Sequence, residues 1–357
     1  MRVRVPRTVY AGSISAKAPL ASYSVIRINP LFIACGICFA AIYDYRVWRG
    51  KCQGDFGRNQ VKEKQEKDNA NGKSSFRKAW EVLFPYLLYY LAYNAAYLIV
   101  IFAYQATMKG FGEAFRQVMT THESTVFGAM GGLCMLIGIL PLVPMLKEEL
   151  RERGETVDFV RMKAADDTDT IPAAGRQYMQ GRIAALTVML AFSASLGLNA
   201  LLTLTGFAGS SQAYQKVAYR QYGVAFAAGL VLYGMISPLT EEVVFRGVIY
   251  NRLRRLYNPA VGIVVSGLFF GAFHGNLVQA VYGGCLGMLM AYLYEKSGRF
   301  YIPILFHAVA NLTVYTTARM EGVQEYLFTP IGCVVLLAVS AGCIWVERIG
   351  KVERGAE

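Results

Sequence analysis

Six charged or polar residues of the kinds that catalyse reactions interrupt strongly apolar stretches in the C-terminal half of the chain. They are Glu241, Glu242, Arg246, His274, His307 and Asn311. Moving a charged group from water into hydrocarbon costs several kcal/mol unless a partner or water accompanies it. A structural ion pair would account for the glutamates, and ordinary packing would account for either histidine. Neither accounts for the whole set, which therefore predicts a functional site within the membrane.

These side chains could together hydrolyse an amide bond. A carboxylate with an imidazole can deprotonate water, which is general base catalysis. A second imidazole and a carboxamide can donate hydrogen bonds to the oxyanion of a tetrahedral intermediate. The sequence shows no Gly-x-Ser-x-Gly nucleophile motif, so attack by water is favoured over a covalent intermediate. The predicted reaction is hydrolysis of a peptide bond in a peptide or membrane-protein substrate.

A metal site is an alternative use of the same residues. Glu241, His274 and His307 could supply the three protein ligands of an open zinc site. The His-Glu-x-x-His helix typical of many zinc proteases is absent from the sequence. Two cofactor states therefore stay open: none, or one divalent metal such as zinc.

The spacing of the residues separates a chemical role from a supporting one. Glu242 and Arg246 are four residues apart, so on a helix the guanidinium can pair with that carboxylate. Glu241 would then point about 100° away around a regular helix, and we assign it to the chemistry. Asn311 follows His307 by four residues and shares its helical face.

Helix length predicts that the residues reach a common depth. With a rise of about 1.5 Å per residue from the turn at 254–259, Glu241 lies roughly 20 Å along one helix and His274 roughly 22 Å along the next. His307 lies roughly 12 Å and Asn311 roughly 18 Å from Arg299 on a third helix. All of these depths fall within a hydrocarbon core about 30 Å thick.

The composition predicts the fold that must position these residues. Hydrophobic residues make up 55% of the chain and charged residues only 17%, whereas soluble domains carry about 25% charge. We therefore expect an all-α, polytopic membrane helical bundle of about eight or nine transmembrane helices. The predicted spans begin near Leu31, Trp80, Val126, Ile183, Tyr222, Pro259, Leu277, Tyr301 and Leu327. The Leu31 run is the least regular of the nine.

The charge pattern predicts orientation and partners. The net charge is +12, and the basic residues cluster between apolar stretches. Such clusters favour anionic lipid headgroups over nucleic acid as partners, and we expect no nucleic-acid binding. Basic loops are retained on the cytoplasmic side, so their alternation predicts a multi-pass integral membrane protein with a cytoplasmic C-terminus.

Four segments are expected along the chain. Residues 1–79 hold an N-terminal arm, a first apolar segment and a basic linker, and residues 80–206 hold N-terminal transmembrane helices with a cytoplasmic loop near 147–182. Residues 207–320 form the catalytic core, and residues 321–357 form the last transmembrane helix with a basic tail.

The chemistry-bearing residues fall into three ordered motifs. These are Glu-Glu-x-x-x-Arg at 241–246, Phe-x-x-x-His at 270–274 and His-x-x-x-Asn at 307–311. Together they resemble the CPBP family of intramembrane proteases, also called the CAAX protease and bacteriocin-processing family, which is related to the Ras-converting CAAX endopeptidase of eukaryotes. The resemblance covers roughly residues 222–317.

The resemblance implies a role for each matching residue. Glu241 with His274 would activate water, and His307 with Asn311 would form the oxyanion hole. Family members have been described both as metalloproteases and as metal-independent glutamic peptidases, and we favour the second. The implied substrates are prenylated CAAX-type peptides or bacteriocin-type peptides.

Two other classes of function use the same features. A noncatalytic immunity or scaffold protein could retain the fold without needing the glutamates for chemistry. A transporter or proton relay could also use intramembrane Glu and His side chains. The absence of an obvious internal repeat argues against transport.

Overall fold

The protein is an integral membrane protein built as a helical bundle. The computed structural model describes residues 75–155, 173–320 and 322–352, and within these ranges the chain forms helices and no strand. The predicted span near Leu31 lies outside the described residues. Five described helical segments are long and apolar enough to cross a membrane: Phe76–Gly110, Glu123–Glu152, Gly181–Leu204, Phe226–Leu256 and Leu277–Ser297.

The remaining predicted spans correspond to shorter helices. The helix that begins at Pro259 has 15 residues, and the helix Tyr301–Thr317 has 17. Fifteen residues rise about 22 Å, which is less than the roughly 30 Å of a hydrocarbon core. A further apolar stretch covers Pro330–Val346. The total of eight or nine spans therefore stays a prediction.

The first described helices pair two long apolar segments. Helix α1 covers Ser75–Gly110, α2 covers Glu113–Thr121 and α3 covers Glu123–Ile139, after which a 3-10 turn at Leu140–Leu142 leads into α4, Val143–Glu152. Prolines 141 and 144 lack the N–H that a regular ladder needs, which explains the tighter turn. Helices α1 and α3 pack together.

The next three helices are one long helix and two short ones. Helix α5 covers Ala173–Leu204, and the short helices α6 and α7 cover Phe207–Ser210 and Gln212–Tyr222. Ser211 caps α7, because its hydroxyl accepts a hydrogen bond from the Tyr214 amide at 3.2 Å.

The segment with the two glutamates is a long helix that contains two π segments. It runs through α8 (Phe226–Val231), a π turn (Leu232–Ile236), α9 (Ser237–Glu242), a π segment (Val243–Tyr250) and α10 (Asn251–Leu256). The regular helix assumed in the sequence analysis is therefore wrong here. Pro238 cannot donate a backbone hydrogen bond, which disfavours a regular ladder at the first π turn. Wide turns of this kind are frequent at functional sites.

A helical hairpin carries His274 at its tip. Helix α11 covers Pro259–Phe273 and α12 covers Leu277–Ser297. Gly275 makes the turn with a φ of 75°, which a residue with a Cβ adopts only with strain. Asn276 then caps α12, because its side-chain oxygen accepts a hydrogen bond from the Gln279 amide at 2.9 Å.

Three helices complete the described chain. Helix α13 covers Tyr301–Thr317, α14 covers Val323–Leu327 and α15 covers Pro330–Val352. Helix α13 packs against α5 on one side and against α9 and the adjoining π turn on the other. It therefore brings His307 and Asn311 beside the glutamates.

Ion pairs join the basic turns at one end of the bundle. Glu149, with 2% of its side chain exposed, accepts hydrogen bonds from Arg252 and Arg255. Glu295 accepts from Arg254 at 2.8 Å and from Arg153 at 3.3 Å. The ends of α4, α10 and α12 therefore meet on one side. The assignment of that side, and hence of the C-terminus, to the cytoplasm stays a prediction.

The close approach of α11 and α12 depends on Gly271, and this can be tested with an alanine. A Cβ at Gly271 would lie 2.3 Å from the Ala280 carbonyl oxygen, which is backbone and cannot move aside, whereas a Cβ at Gly284 meets only the Gly267 oxygen at 3.8 Å. We expect Gly271→Ala to lower the free energy of unfolding by about 1 to 3 kcal/mol. Gly284→Ala, the control in the same hairpin, should leave it nearly unchanged. Denaturation in detergent followed by circular dichroism measures both, and equal effects would contradict this account.

Candidate active site

Glu241 is buried and has one carboxylate oxygen free. Only 6% of the residue is exposed. Its Oε1 accepts a hydrogen bond of 2.6 Å from the hydroxyl of Ser237, one helical turn earlier. Its Oε2 is buried and has no hydrogen-bond partner in the part of the chain that the structure describes. Ser237 therefore fixes the carboxylate and leaves Oε2 available for a water molecule or a substrate.

Glu242 is the centre of a buried charged cluster. Its Oε1 accepts a hydrogen bond of 2.9 Å from Arg246 and one of 2.8 Å from Nδ1 of His307. Glu242 and Arg246 are fully buried, and His307 is 5% exposed. The predicted pairing of Glu242 with Arg246 is present, and the cluster also includes a histidine from a different helix.

The guanidinium of Arg246 is held from three directions. Besides Glu242, it donates a hydrogen bond of 2.9 Å to the carbonyl oxygen of Gly287 on α12. Its Cζ lies 4.6 Å from the centroid of the Phe270 ring, a cation–π contact with α11. Arg246 therefore ties the glutamate helix to both arms of the hairpin.

His307 presents one ring nitrogen to Glu241. Because the ion-paired carboxylate of Glu242 accepts hydrogen bonds, Nδ1 of His307 acts as the donor to it. Nε2 then faces Oε2 of Glu241 at 3.9 Å. This distance is too long for a hydrogen bond, and a water molecule between the two atoms could contact both.

His274 lies at the hairpin tip and is oriented by its own helix. Its Nδ1 is 2.9 Å from the carbonyl oxygen of Phe270, so Nδ1 is the donor and Nε2 is left for a water molecule or a substrate. The Phe270 ring makes edge contacts with both imidazoles, at centroid distances of 5.0 Å to His274 and 5.4 Å to His307. One phenyl ring therefore lies against both histidines.

Asn311 faces the first π turn. Its Nδ2 donates a hydrogen bond of 3.2 Å to the carbonyl oxygen of Tyr233. That bond fixes the carboxamide one helical turn from His307 on the same face of α13. The amide group keeps a second N–H, which is the donor that an oxyanion hole would need.

The structure joins four of the six predicted residues directly. Glu241, Glu242, Arg246 and His307 contact one another through the distances given above. His274 is linked to this group through Phe270, and Asn311 through helix α13. The role of each residue in the chemistry stays a prediction.

Two polar residues of the site were missing from the sequence-based set. Ser237 lies four residues before Glu241, a helical spacing that could have revealed it. Tyr89 lies on α1, where its buried hydroxyl has no hydrogen-bond partner among the residues that the structure describes, and it interacts electrostatically with Glu241. No local pattern connects Tyr89 to a residue more than 150 positions later.

The arrangement does not match a three-ligand metal site. Among the described residues, no group of three or more His, Cys, Asp or Glu side chains is arranged to hold a metal ion. Nδ1 of His307 is bonded to Glu242 and Nδ1 of His274 to a carbonyl oxygen, so both Nε2 atoms are open, but they do not converge with Glu241 on one position. We therefore derive no step through a metal from this geometry.

Comparison with known proteins identifies the part of the chain that holds the site. Residues 223–313 match the family model described as type II CAAX prenyl endopeptidase Rce1-like. The "Putative membrane peptidase YdiL" of Bacillus subtilis (strain 168) is 28% identical over 98 residues, which cover 28% of this chain and 40% of that relative. No solved structure matches the chain. All three motifs lie within residues 223–313.

The buried pair of Glu242 and Arg246 can be compared with an exposed pair of the same residue types. Glu242→Gln leaves the Arg246 charge buried without its partner, so we expect the free energy of unfolding to fall by about 3 to 5 kcal/mol. Glu113 pairs with Arg116 at 3.0 Å, but the side chain of Glu113 is 87% exposed. Glu113→Gln should therefore change the free energy of unfolding by less than about 1 kcal/mol. Chemical denaturation of both variants in detergent measures the difference, and similar losses would contradict the role assigned to the buried pair.

Proposed function

Because residues 223–313 belong to the CPBP/CAAX protease family, we propose that this membrane protein is an endopeptidase that cleaves a peptide bond with an activated water molecule. One observation carries the proposal. The free carboxylate oxygen of Glu241 lies 3.9 Å from Nε2 of His307, which Glu242 orients from the other side. A carboxylate and an oriented imidazole that one water molecule can contact at the same time are the parts that general base catalysis requires.

Glu241 acts as the base. Its Oε2 takes a proton from the water, and the water oxygen then attacks the carbonyl carbon of the substrate. When the carbon–nitrogen bond breaks, Glu241 returns the proton to the leaving amine. Ser237 supports both steps because its hydrogen bond holds Oε1 and leaves Oε2 for the proton.

Asn311 stabilises the charge that develops during attack, because its free N–H can donate to the carbonyl oxygen of the substrate. Nε2 of His307 lies one turn away on α13, and it can donate to the same oxygen only when the imidazole carries a proton on both nitrogens, since Nδ1 donates to Glu242. His274 contributes a second Nε2 from the hairpin tip, where the family resemblance implies that it helps to activate water. Glu242 and Arg246 position His307 and do not touch the reacting atoms.

The substrate class follows from the family and is the least direct part of the proposal. The matching family model is described as a prenyl endopeptidase, so we propose a peptide with a prenylated CAAX-type C-terminus as the first substrate to test. A bacteriocin-type peptide is the second. An active site inside a helical bundle suits either, because the lipid-modified or apolar part of the peptide can stay in the bilayer.

The proposal is tested with Glu241→Gln. Purified protein in liposomes is incubated with a quenched fluorescent peptide that ends in a farnesylated CAAX sequence, and with the same peptide without the farnesyl group. We expect cleavage by the unchanged protein and a loss of at least about 100-fold in Glu241→Gln, because the amide cannot accept the proton. Glu113→Gln, an exposed glutamate far from the site, should cleave at the normal rate.

The same preparation distinguishes the other functions. Full cleavage by Glu241→Gln would overturn the assignment of the base. An absence of cleavage of prenylated, unprenylated and bacteriocin-type peptides would favour a noncatalytic protein. Proton flux into the liposomes that disappears in Glu241→Gln, without any cleavage, would favour a proton relay.

A further inference from the structure

We propose that Tyr89, on a helix outside the family match, is a catalytic residue whose hydroxyl holds the attacking water against Glu241. The proposal rests on the proposed function. It assigns to α1 a part in the chemistry that the motifs in residues 223–313 do not contain.

The hydroxyl of Tyr89 is buried but has no partner. Only 2% of the residue is exposed, and its oxygen makes no hydrogen bond within residues 75–155, 173–320 and 322–352. A buried hydroxyl without a partner loses its interaction with water and gains nothing in return. A phenylalanine would fill the same space without this cost. The structure therefore gives the hydroxyl no packing role, and its use depends on a molecule that binds beside it.

The ring of Tyr89 packs beside the hairpin tip that carries His274. Its ring lies 6.3 Å from that of Phe273, which in turn lies 5.8 Å from the imidazole of His274. On another side, the ring edge packs closely against Gly138 on α3, where an added Cβ would lie 3.0 Å from Cε2. Tyr89 is therefore fixed between α3 and the hairpin tip, and it interacts electrostatically with Glu241.

Two buried polar atoms of this region are available to a water molecule. The hydroxyl of Tyr89 and Oε2 of Glu241 are both buried, and neither has a hydrogen-bond partner among the described residues. The first can donate and the second can only accept when ionised. A water molecule between them would receive a hydrogen bond from Tyr89 and donate one to Glu241. These two contacts fix the direction of the remaining lone pair of the water oxygen. Attack on a carbonyl carbon needs a lone pair that is held in one direction.

The packing of α1 explains why this helix can supply such a group. Helix α1 packs against the π segment Val243–Tyr250, directly after the glutamates. This contact places α1 beside the helix that carries Glu241 and Glu242. The N-terminal part of the chain thereby completes a site whose motifs all lie further along.

Tyr89→Phe removes the hydroxyl and keeps the ring. With the farnesylated peptide in liposomes, we expect kcat to fall about 10- to 100-fold while KM changes less than about twofold, because the lost contact is to the water and not to the peptide. The thermal midpoint of the variant should equal or exceed that of the unchanged protein. A purely structural hydroxyl would give the opposite result, a lower midpoint with normal kcat.

Tyr93→Phe is the matched control. Tyr93 lies one turn further along α1, is partly buried, and its ring centroid lies 6.1 Å from that of Tyr89. Tyr93→Phe also removes a hydroxyl, and this variant should keep kcat within about twofold of normal. Equal losses of kcat in both variants, or a normal kcat in Tyr89→Phe, would overturn the role of Tyr89.

Glu241→Gln in the same assay separates the two proposals. If Glu241→Gln is inactive and Tyr89→Phe is fully active, the proposed function stands and the inference about Tyr89 fails. If the unchanged protein cleaves nothing, or if Glu241→Gln cleaves normally, the proposed function fails and the role of Tyr89 fails with it.

Discussion

The fully buried ion pair of Glu242 and Arg246 is the interaction on which the rest of the site depends. A guanidinium without water must have a carboxylate and further acceptors, or its burial is too costly. Arg246 finds them in Glu242 and in the Gly287 carbonyl oxygen, and its flat face lies over Phe270. Three helical segments are therefore held together by one charge. Because its charge is paired with that of Arg246, Glu242 can stay buried and orient His307.

The polar groups near the reaction site differ from those at the end of the bundle. Around Glu149 and Glu295, carboxylates and guanidiniums form several hydrogen bonds each. Around Glu241, a carboxylate oxygen and the Tyr89 hydroxyl are buried without partners among the described residues. Proteins keep such unsatisfied groups mainly where a ligand or reacting molecule will satisfy them. The contrast separates the polar cluster that stabilises the bundle from the one that is arranged for chemistry.

Much of the site could be read from the sequence because its key spacings are local. The pairing of Glu242 with Arg246 follows from a four-residue interval on a helix, and the structure confirms it. The same interval relates Ser237 to Glu241, so it would also predict the hydrogen bond between their side chains. The π turns on both sides of the glutamates were not predicted. In a π turn, successive side chains are not separated by the 100° per residue of a regular α-helix. That step is the one from which the sequence predicts the direction of Glu241.

The sequence by itself determined that the chain is a helical membrane protein and which charged residues need an explanation, because composition and local spacing act within one helix. The tertiary structure alone decided which groups meet. It set His307, rather than His274, between the two glutamates, placed Phe270 against both imidazoles, and brought Tyr89 from a distant helix. These contacts depend on how helices far apart in the chain pack and rotate against one another, and glycines at their interfaces, such as Gly271 and Gly287, set how closely they approach.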